Sequence, residues 1–173
     1  MLIRIKQFSE LDSRKLMDIY AESNLENTDY FFPEQEDKAE AVKKVEAGFL
    51  RYLEQDFFRS PGPSYWVLEE GGLWVSALRL NELKPGFYYL EALETRPDFR
   101  RKGCAARLLT GVIAALRQQG PFELHDCVGK KNEASLRTHL KCGFRIAAED
   151  GVDYLSGEAD SRHYGLAYTY DTE

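Results

Sequence analysis

One stretch of this sequence has the residue types, in the right order, to hold an anion: Arg100-Arg101-Lys102-Gly103-Cys104-Ala105, after a strand ended by Pro97 and at the start of a helical pattern. Gly103 and Ala105 are small enough for backbone to approach a ligand closely, and the first turn of a helix leaves N–H groups unpaired. Such a terminus attracts phosphate oxygens, and Arg100, Arg101 and Lys102 add positive charge at the same place. A pyrophosphate is the natural guest. Two familiar phosphate loops are excluded, because there is no G-x-x-x-x-G-K-[ST] pattern and the spaced glycines of a dinucleotide fingerprint are missing. A glycine-tipped helix start beside arginines also occurs as plain structure, so the loop alone leaves both readings open.

Charge is distributed in the same sense. The chain of 173 residues carries a formal net charge of -6, which argues against a nucleic-acid partner, since neutralising a phosphate backbone needs a basic surface. Two segments run the other way. Residues 96–107 hold Arg96, Arg100, Arg101, Lys102 and Arg107 against Asp98 alone, and residues 130–145 hold Lys130, Lys131, Arg137, Lys141 and Arg145 against Glu133 alone. Two compact basic segments in an acidic body suggest a small polyanion at one locus. Solvated helix faces are the alternative.

The elements that would position these residues can be read from periodicity. A strand at Leu2–Phe8 leads through Ser9, a plausible N-cap, into a helix over 10–22; a polar and aromatic loop spans Asn24–Pro33, and a second helix covers 36–58, broken near Gly48. Tyr65–Leu68 and Leu73–Leu80 form a hairpin about Glu69-Glu70-Gly71-Gly72, and a further strand runs from Phe87 to Thr95. Then come a helix over 102–118, a strand over 122–128, a short helix over 132–142 ended by Gly143, and strands near Phe144–Ala147 and His163–Tyr170. This order predicts an α/β mixed sheet in one domain spanning residues 1–173. No apolar run reaches membrane-spanning length, no secretory leader is visible, and Cys104, Cys127 and Cys142 lack the spacing of a zinc or disulfide framework, so a cytoplasmic protein with reduced thiols, no metal and no membrane partner is expected.

With the loop and its surroundings in view, the sequence resembles the GNAT superfamily of N-acetyltransferases. That family's loop reads [QR]-x-x-G-x-[GA], matched by Arg100, Gly103 and Ala105 after the strand-x-Pro lead-in Leu93-Glu94-Thr95-Arg96-Pro97. Further on, the family's N-x-x-[AS]-x-x-x-Y-x-x-x-G-F is met by Asn132, Ser135, His139, Gly143 and Phe144, so the resemblance covers about Phe87 to Phe144. It implies a sheet with helices on both faces that splays between its fourth and fifth strands, with acetyl-CoA as acyl donor. Arg100, Arg101, Lys102, Gly103, Cys104 and Ala105 would hold the CoA pyrophosphate, Leu93 and Thr95 would offer backbone to the pantetheine and thioester, and Asn132 and Ser135 would meet the cofactor as well.

Two departures from the family pattern stand out. Arg101 replaces a common glycine, and His139 falls where a tyrosine is thought to protonate the leaving thiolate. An imidazole can do that work when cationic, or it can be a satisfied core histidine. Tyr164, Tyr168 and Tyr170 are reserve donors. For the base that takes the amine's proton, Glu91 is the first choice, because strand alternation sets it with Leu93 and Thr95 and turns Glu94 to the other face. The neighbours His125 and Asp126 point apart on a strand and make no dyad.

The acceptor is then a small-molecule amine. Glu149, Asp150, Asp153, Glu158 and Asp160, with Glu26 and Asp29 in the aromatic loop, would steer a cationic one, although acidic loops also serve solubility alone. Two other readings remain: a non-catalytic sensor of CoA or a metabolite, and an acetyltransferase acting on proteins or peptides. The oligomeric state is open, a homodimer included.

Overall fold

Period-two alternation sorts side chains onto the two faces of a sheet, and here it builds Leu2–Ile5 (β1), Pro63–Glu70 (β2), Leu73–Lys84 (β3), Phe87–Thr95 (β4), Phe122–Gly129 (β5), Arg145–Ala148 (β6), Gly151–Val152 (β7), Ala159–Asp160 (β8) and His163–Tyr170 (β9). In the computed structural model, which describes residues 1–171, seven strands pair in the order β1-β2-β3-β4-β5-β9-β6, and β7 and β8 form a separate ribbon. Residues 172 and 173 of the expected single domain lie outside the described residues. Among the described residues, only β4 and β5 run parallel; the other paired strands are antiparallel.

Helices cover both faces. Cys104–Arg117 (α4) buries Leu108, Leu109, Val112 and Leu116 against Leu90, Leu124 and Leu166, and Glu133–Lys141 (α5) adds Leu136 to the same core. On the other face Ser13–Ile19 (α1) and Lys38–Gln55 (α3) bury Leu16, Ile19 and Leu53 against Ile5, Tyr65 and Val67. Among the described residues, no helix is long and apolar enough to cross a membrane.

Three sequence expectations are corrected. Residues Ala21–Phe31 are helix (α2) where a loop is expected, because the side chains that α2 buries are polar, Asn24 and Thr28, and leave no apolar stripe to read. The cap of α1 is Asp12, which accepts from the Lys15 N–H, and Ser9 sits in a preceding 3-10 turn. α3 runs unbroken through Gly48, whose missing side chain opens a cavity wall.

The feature that positions the site is the end of the β4–β5 pairing. Their register begins at Phe87–Glu123 and stops at Leu90–Asp126, although β4 continues to Thr95 and β5 to Gly129. The strands splay there, as the resemblance implies. Just past the last pair, Ala92 adopts φ 53°, in the left-handed region, and the β3–β4 register shifts between Ala77 and Arg79. This is a bulge, which re-aims every side chain beyond it. The strain is held by a tyrosine: Tyr20 Oη donates to the Ala92 carbonyl at 2.7 Å and accepts from Tyr65 Oη at 2.7 Å. Burial raises both phenols, so both stay protonated as donors. Replacing Tyr20 with Phe strands a carbonyl and a buried hydroxyl, and urea unfolding is expected to show a loss of about 1–3 kcal/mol; a loss below ~0.5 kcal/mol would mean that this pair does not hold the bulge.

Candidate active site

The loop before α4 is shaped by backbone conformation. Arg101 (φ 59°) and Gly103 (φ 76°) are both left-handed, and Gly103 is the N-cap of α4 with no side chain bonded to the first turn. The first-turn amides of a 14-residue helix therefore face outward uncapped. A Cβ on Gly103 would meet nothing within 4 Å, so the glycine answers to φ rather than to crowding. Arg101 carries a cost of about 1–2 kcal/mol for the same conformation, which gives a physical reason for a glycine there in related sequences.

This loop walls a cavity of about 830 Å³ on the α4–α5 face of the sheet. It gathers Leu93, Thr95, Arg100, Arg101, Gly103, Cys104, Ala105, Asn132 and Ser135, from β4, the loop and α5, onto one surface. Lys102 alone of the proposed cofactor residues is not on the wall; its Nζ donates to the Asp98 carbonyl at 2.9 Å and lies over the Phe99 ring. Arg100 divides its guanidinium between Glu22 at 2.8 Å and Glu94 at 3.8 Å. Asn132 caps α5 by accepting from the Ser135 N–H at 3.1 Å. The wall also holds Arg137 and Lys141, one turn apart on α5, which sequence reading left unassigned. Both basic segments thus supply cations to a single cavity, and their local charge was the available signal.

The opposite face holds two further cavities that meet at Arg79 and Ala92. One, of about 570 Å³, is acidic: Glu91, Asp126, Asp153, Glu158 and Asp160 line it, with Arg162 and His163. The other, of about 560 Å³, lies between α2 and α3 and is walled mostly by apolar and aromatic side chains such as Phe31, Phe32, Phe49 and Tyr52. Here the bulge reverses the sequence expectation. Leu93 packs into the α4 core while Glu91, Ala92 and Glu94 all reach the α1–α3 side, so Glu91 does not share a face with Leu93 and Thr95, and the two carboxylates are not opposed. Glu94 lines both the apolar cavity and the loop cavity.

Both carboxyls titrate above the ordinary range. For Glu91 the cause is burial, partly offset by Arg79 at 3.8 Å; for Glu94 it is burial, offset by the Ser23 hydroxyl at 3.0 Å and by Arg100. Glu94 is thus already bonded. Among the described residues, no hydrogen bond reaches the Glu91 carboxylate, and its Oε2 is buried without a partner.

His139 has no exposed surface. Its Nδ1 lies 2.8 Å from the Ser135 carbonyl and its Nε2 2.8 Å from Asp126 Oδ2, the latter an ionic contact without the alignment of a full hydrogen bond. Burial raises the Asp126 carboxyl despite His139. Burial would lower the His139 imidazole, but Asp126 outweighs it and holds it up. Asp126, not His139, is among the residues that border the acidic cavity, at the last paired position before the splay. Of the reserve donors, Tyr168 Oη takes a hydrogen bond from Arg117, which lies over the Tyr170 ring, and Lys130 lies over the Tyr164 ring. His125 stacks on Phe87 and contacts Glu123, away from Asp126 as alternation requires.

The profile of the acetyltransferase (GNAT) family matches residues 14–144, a span that includes the loop, the splay and α5. The chain belongs to the GNAT family. It is an acetyltransferase, and acetyl-CoA is its acyl donor. Three solved GNAT-like structures share its fold. The IAA acetyltransferase of Bacillus cereus ATCC 14579 is 17% identical (TM-score 0.60; 98% of this chain, 99% of that one). The PaiA N-acetyltransferase of Thermoplasma acidophilum, in complex with coenzyme A, is 12% identical (TM-score 0.62; 98% and 99%). The ribosomal-protein-S18-alanine N-acetyltransferase of Escherichia coli is 18% identical (TM-score 0.62; 100% and 96%). No curated protein sequence matches the chain.

Asp126 and His139 form a buried pair beside this GNAT cleft, which fixes the outcome of a double-mutant cycle. His139→Leu or Asp126→Leu alone is expected to cost about 3–5 kcal/mol, by leaving one charge buried alone, while the double variant costs less than either. Additive losses in urea unfolding would show that the two groups are not coupled.

Proposed function

We propose that this chain is one domain that moves an acetyl group from acetyl-CoA to the primary amine of a small molecule, by direct transfer with both bound. The observation that supports this best is the arrangement about β4. A basic cavity with an uncapped helix start lies on one side, acidic and apolar cavities lie on the other, and all reach the strand where it has left β5. An amine and a thioester entering from opposite sides would meet at one strand.

The site residues fit the cofactor by chemistry. Uncapped amides after Gly103, with Arg101, Arg137 and Lys141 around them, suit a diphosphate, and the unpaired edge of β4 from Leu93 to Thr95 suits an extended amide-containing chain. The bound donor supplies an activated acyl carbon. N–H groups of that edge would polarise its carbonyl oxygen. Glu91 takes the proton from the amine, because its carboxylate carries no hydrogen bond and its raised pKa suits a base working near neutrality. The nitrogen then bonds the acyl carbon as the carbon–sulfur bond breaks, and the second proton that the nitrogen sheds in becoming an amide passes to the sulfur, which leaves as CoA thiol. His139, buried against the Asp126 carboxylate, is assigned to fix β5 at the last pair before the splay.

The acidic wall favours a cationic amine, and amine affinity is expected to fall as salt rises. With Cys104, Cys127 and Cys142 all free thiols, a reducing cytoplasm suits the chain. A homodimer is left to sedimentation analysis.

Two measurements test the reading. Titration calorimetry should show acetyl-CoA binding that weakens at least about tenfold in Gly103→Glu, which sets a carboxylate at the helix start; no binding by the native protein would end the proposal. CoA-thiol release should follow amine acetylation and fall on the acid side as Glu91 gains its proton, at a pH above the usual carboxylate range. Glu91→Gln should lower turnover about 100-fold or more and remove that acid limb, with acetyl-CoA affinity unchanged. An acid limb that survives in Glu91→Gln would move the base elsewhere.

A further inference from the structure

The GNAT reading leaves one buried group without work. Arg79, on β3, has its side chain only 13% exposed, yet among the described residues it makes no hydrogen bond, and its Nε is buried with no partner. Three aromatic rings hold it in place: Tyr52 at 5.2 Å, Phe57 at 5.7 Å and Phe49 at 6.0 Å from the guanidinium carbon. The single ion pair, to Glu91 at 3.8 Å, is too long for a hydrogen bond. A guanidinium taken from water with its donors unused is costly. Stacking on rings restrains the group without using its in-plane N–H donors, which is how an arginine is presented to a planar acceptor.

Its location says what that acceptor would belong to. Arg79 and Ala92 are the residues common to the acidic and the apolar cavities. The other cation on the apolar wall, Lys44, is already bonded to Gln35 at 2.8 Å. Arg79 and Glu91 thus present opposite charges side by side at the place where the two cavities join. That pairing matches an ammonium and a carboxylate carried on one carbon, and the apolar cavity of about 560 Å³ has room for a large side chain.

We infer that the acceptor is an amino-acid-like amine whose carboxylate is bound by Arg79, with its nitrogen toward Glu91 and its apolar or aromatic side chain between α2 and α3. This rests on the amine-transfer reading above and adds the class of amine. Arg79 is a specificity residue here, since a carboxylate accepts from its fork at two points while the matching amine without a carboxylate leaves the donors unpaired.

The test compares the protein amino acids with the amines that their decarboxylation gives, and with their amides, in a thiol-release assay with acetyl-CoA and the full chain. An apolar or aromatic amino acid, such as L-tryptophan or L-phenylalanine, is expected to exceed its decarboxylated partner and its amide by about tenfold or more in kcat/KM. Arg79→Met should bring the two members of a pair level, mainly through KM, and leave acetyl-CoA affinity unchanged; Arg79→Lys should keep part of the preference. Tryptamine or phenethylamine turned over as well as the parent amino acid would overturn the inference and leave amine transfer standing, as would a preference that survives Arg79→Met. If acetyl-CoA binds and no amine of any set is acetylated, amine transfer fails and this inference with it. If Arg79→Met does not fold, the wild-type ratio within each pair decides alone.

Discussion

Strand pairing that stops at Leu90 and Asp126 is the constraint from which the site follows. Backbone N–H and C=O groups inside a protein need partners, and a strand that leaves its neighbour in mid-sheet gives up those that pairing supplied. The chain satisfies carbonyls of this stretch with side chains: the Tyr20 hydroxyl on Ala92, the Ser76 hydroxyl on Glu94 and the Arg100 Nε on Thr95. From Leu93 to Thr95 the strand has no β5 neighbour and borders the loop cavity instead. A cleft of this kind cannot close by simple sheet repair, because the bulge at Ala92 has shifted the register of β4 against β3 and fixed its course. An extended molecule that brings its own amides is the natural complement to such an edge.

The bulge also decides the distribution of charge. With regular alternation continued from Leu90, Glu94 would lie on the side of the uncapped helix start, where its charge would oppose an anionic ligand. With the extra residue, Glu94 turns to Ser23 on α2 and borders the loop cavity only at its edge with the apolar one, Glu91 stays on the acidic wall, and Arg101, Arg137 and Lys141 set the charge of the loop cavity. The sheet thus separates two opposite fields by the thickness of one strand. Arg100 spans them, with its guanidinium on Glu22 and Glu94, and ties the donor loop to α2 on the acceptor side.

What could be read from the sequence is what short-range chemistry determines. Arg100 to Ala105 and the helix after them are contiguous, so helix-terminus geometry alone marks them as a candidate anion loop, and the family pattern is what distinguishes that reading from plain structure. Asn132 and Ser135 come from the resemblance alone, and the structure adds that Asn132 caps α5 on the Ser135 N–H. Orientation across a bulge was not legible, since alternation is counted on the assumption that no residue is inserted, and Ala92 carries no sequence mark of φ 53°. α2 was hidden because it buries Asn24 and Thr28, polar residues whose burial depends on Met17 and on neighbouring turns. The partnership of His139 with Asp126 spans two elements, and Arg79 acquires its aromatic surround from α3 and the turn after it; spacing reveals neither.

On the proposed reaction, the charges that draw the acceptor in also help the product out. Acetylation turns an ammonium into a neutral amide, so the nitrogen that Glu91 and its acidic neighbours attract before transfer has nothing to offer them afterwards, and a buried carboxylate gains nothing from an uncharged partner. The Arg79 contact survives the reaction, because the carboxylate it would bind is unchanged. Discrimination between substrate and product then falls on the acidic wall, and recognition of the right acceptor falls on the guanidinium and the apolar cavity. Two neighbouring groups of opposite charge therefore do different work, Arg79 selecting the acceptor and Glu91 distinguishing the amine before transfer from the amide after it.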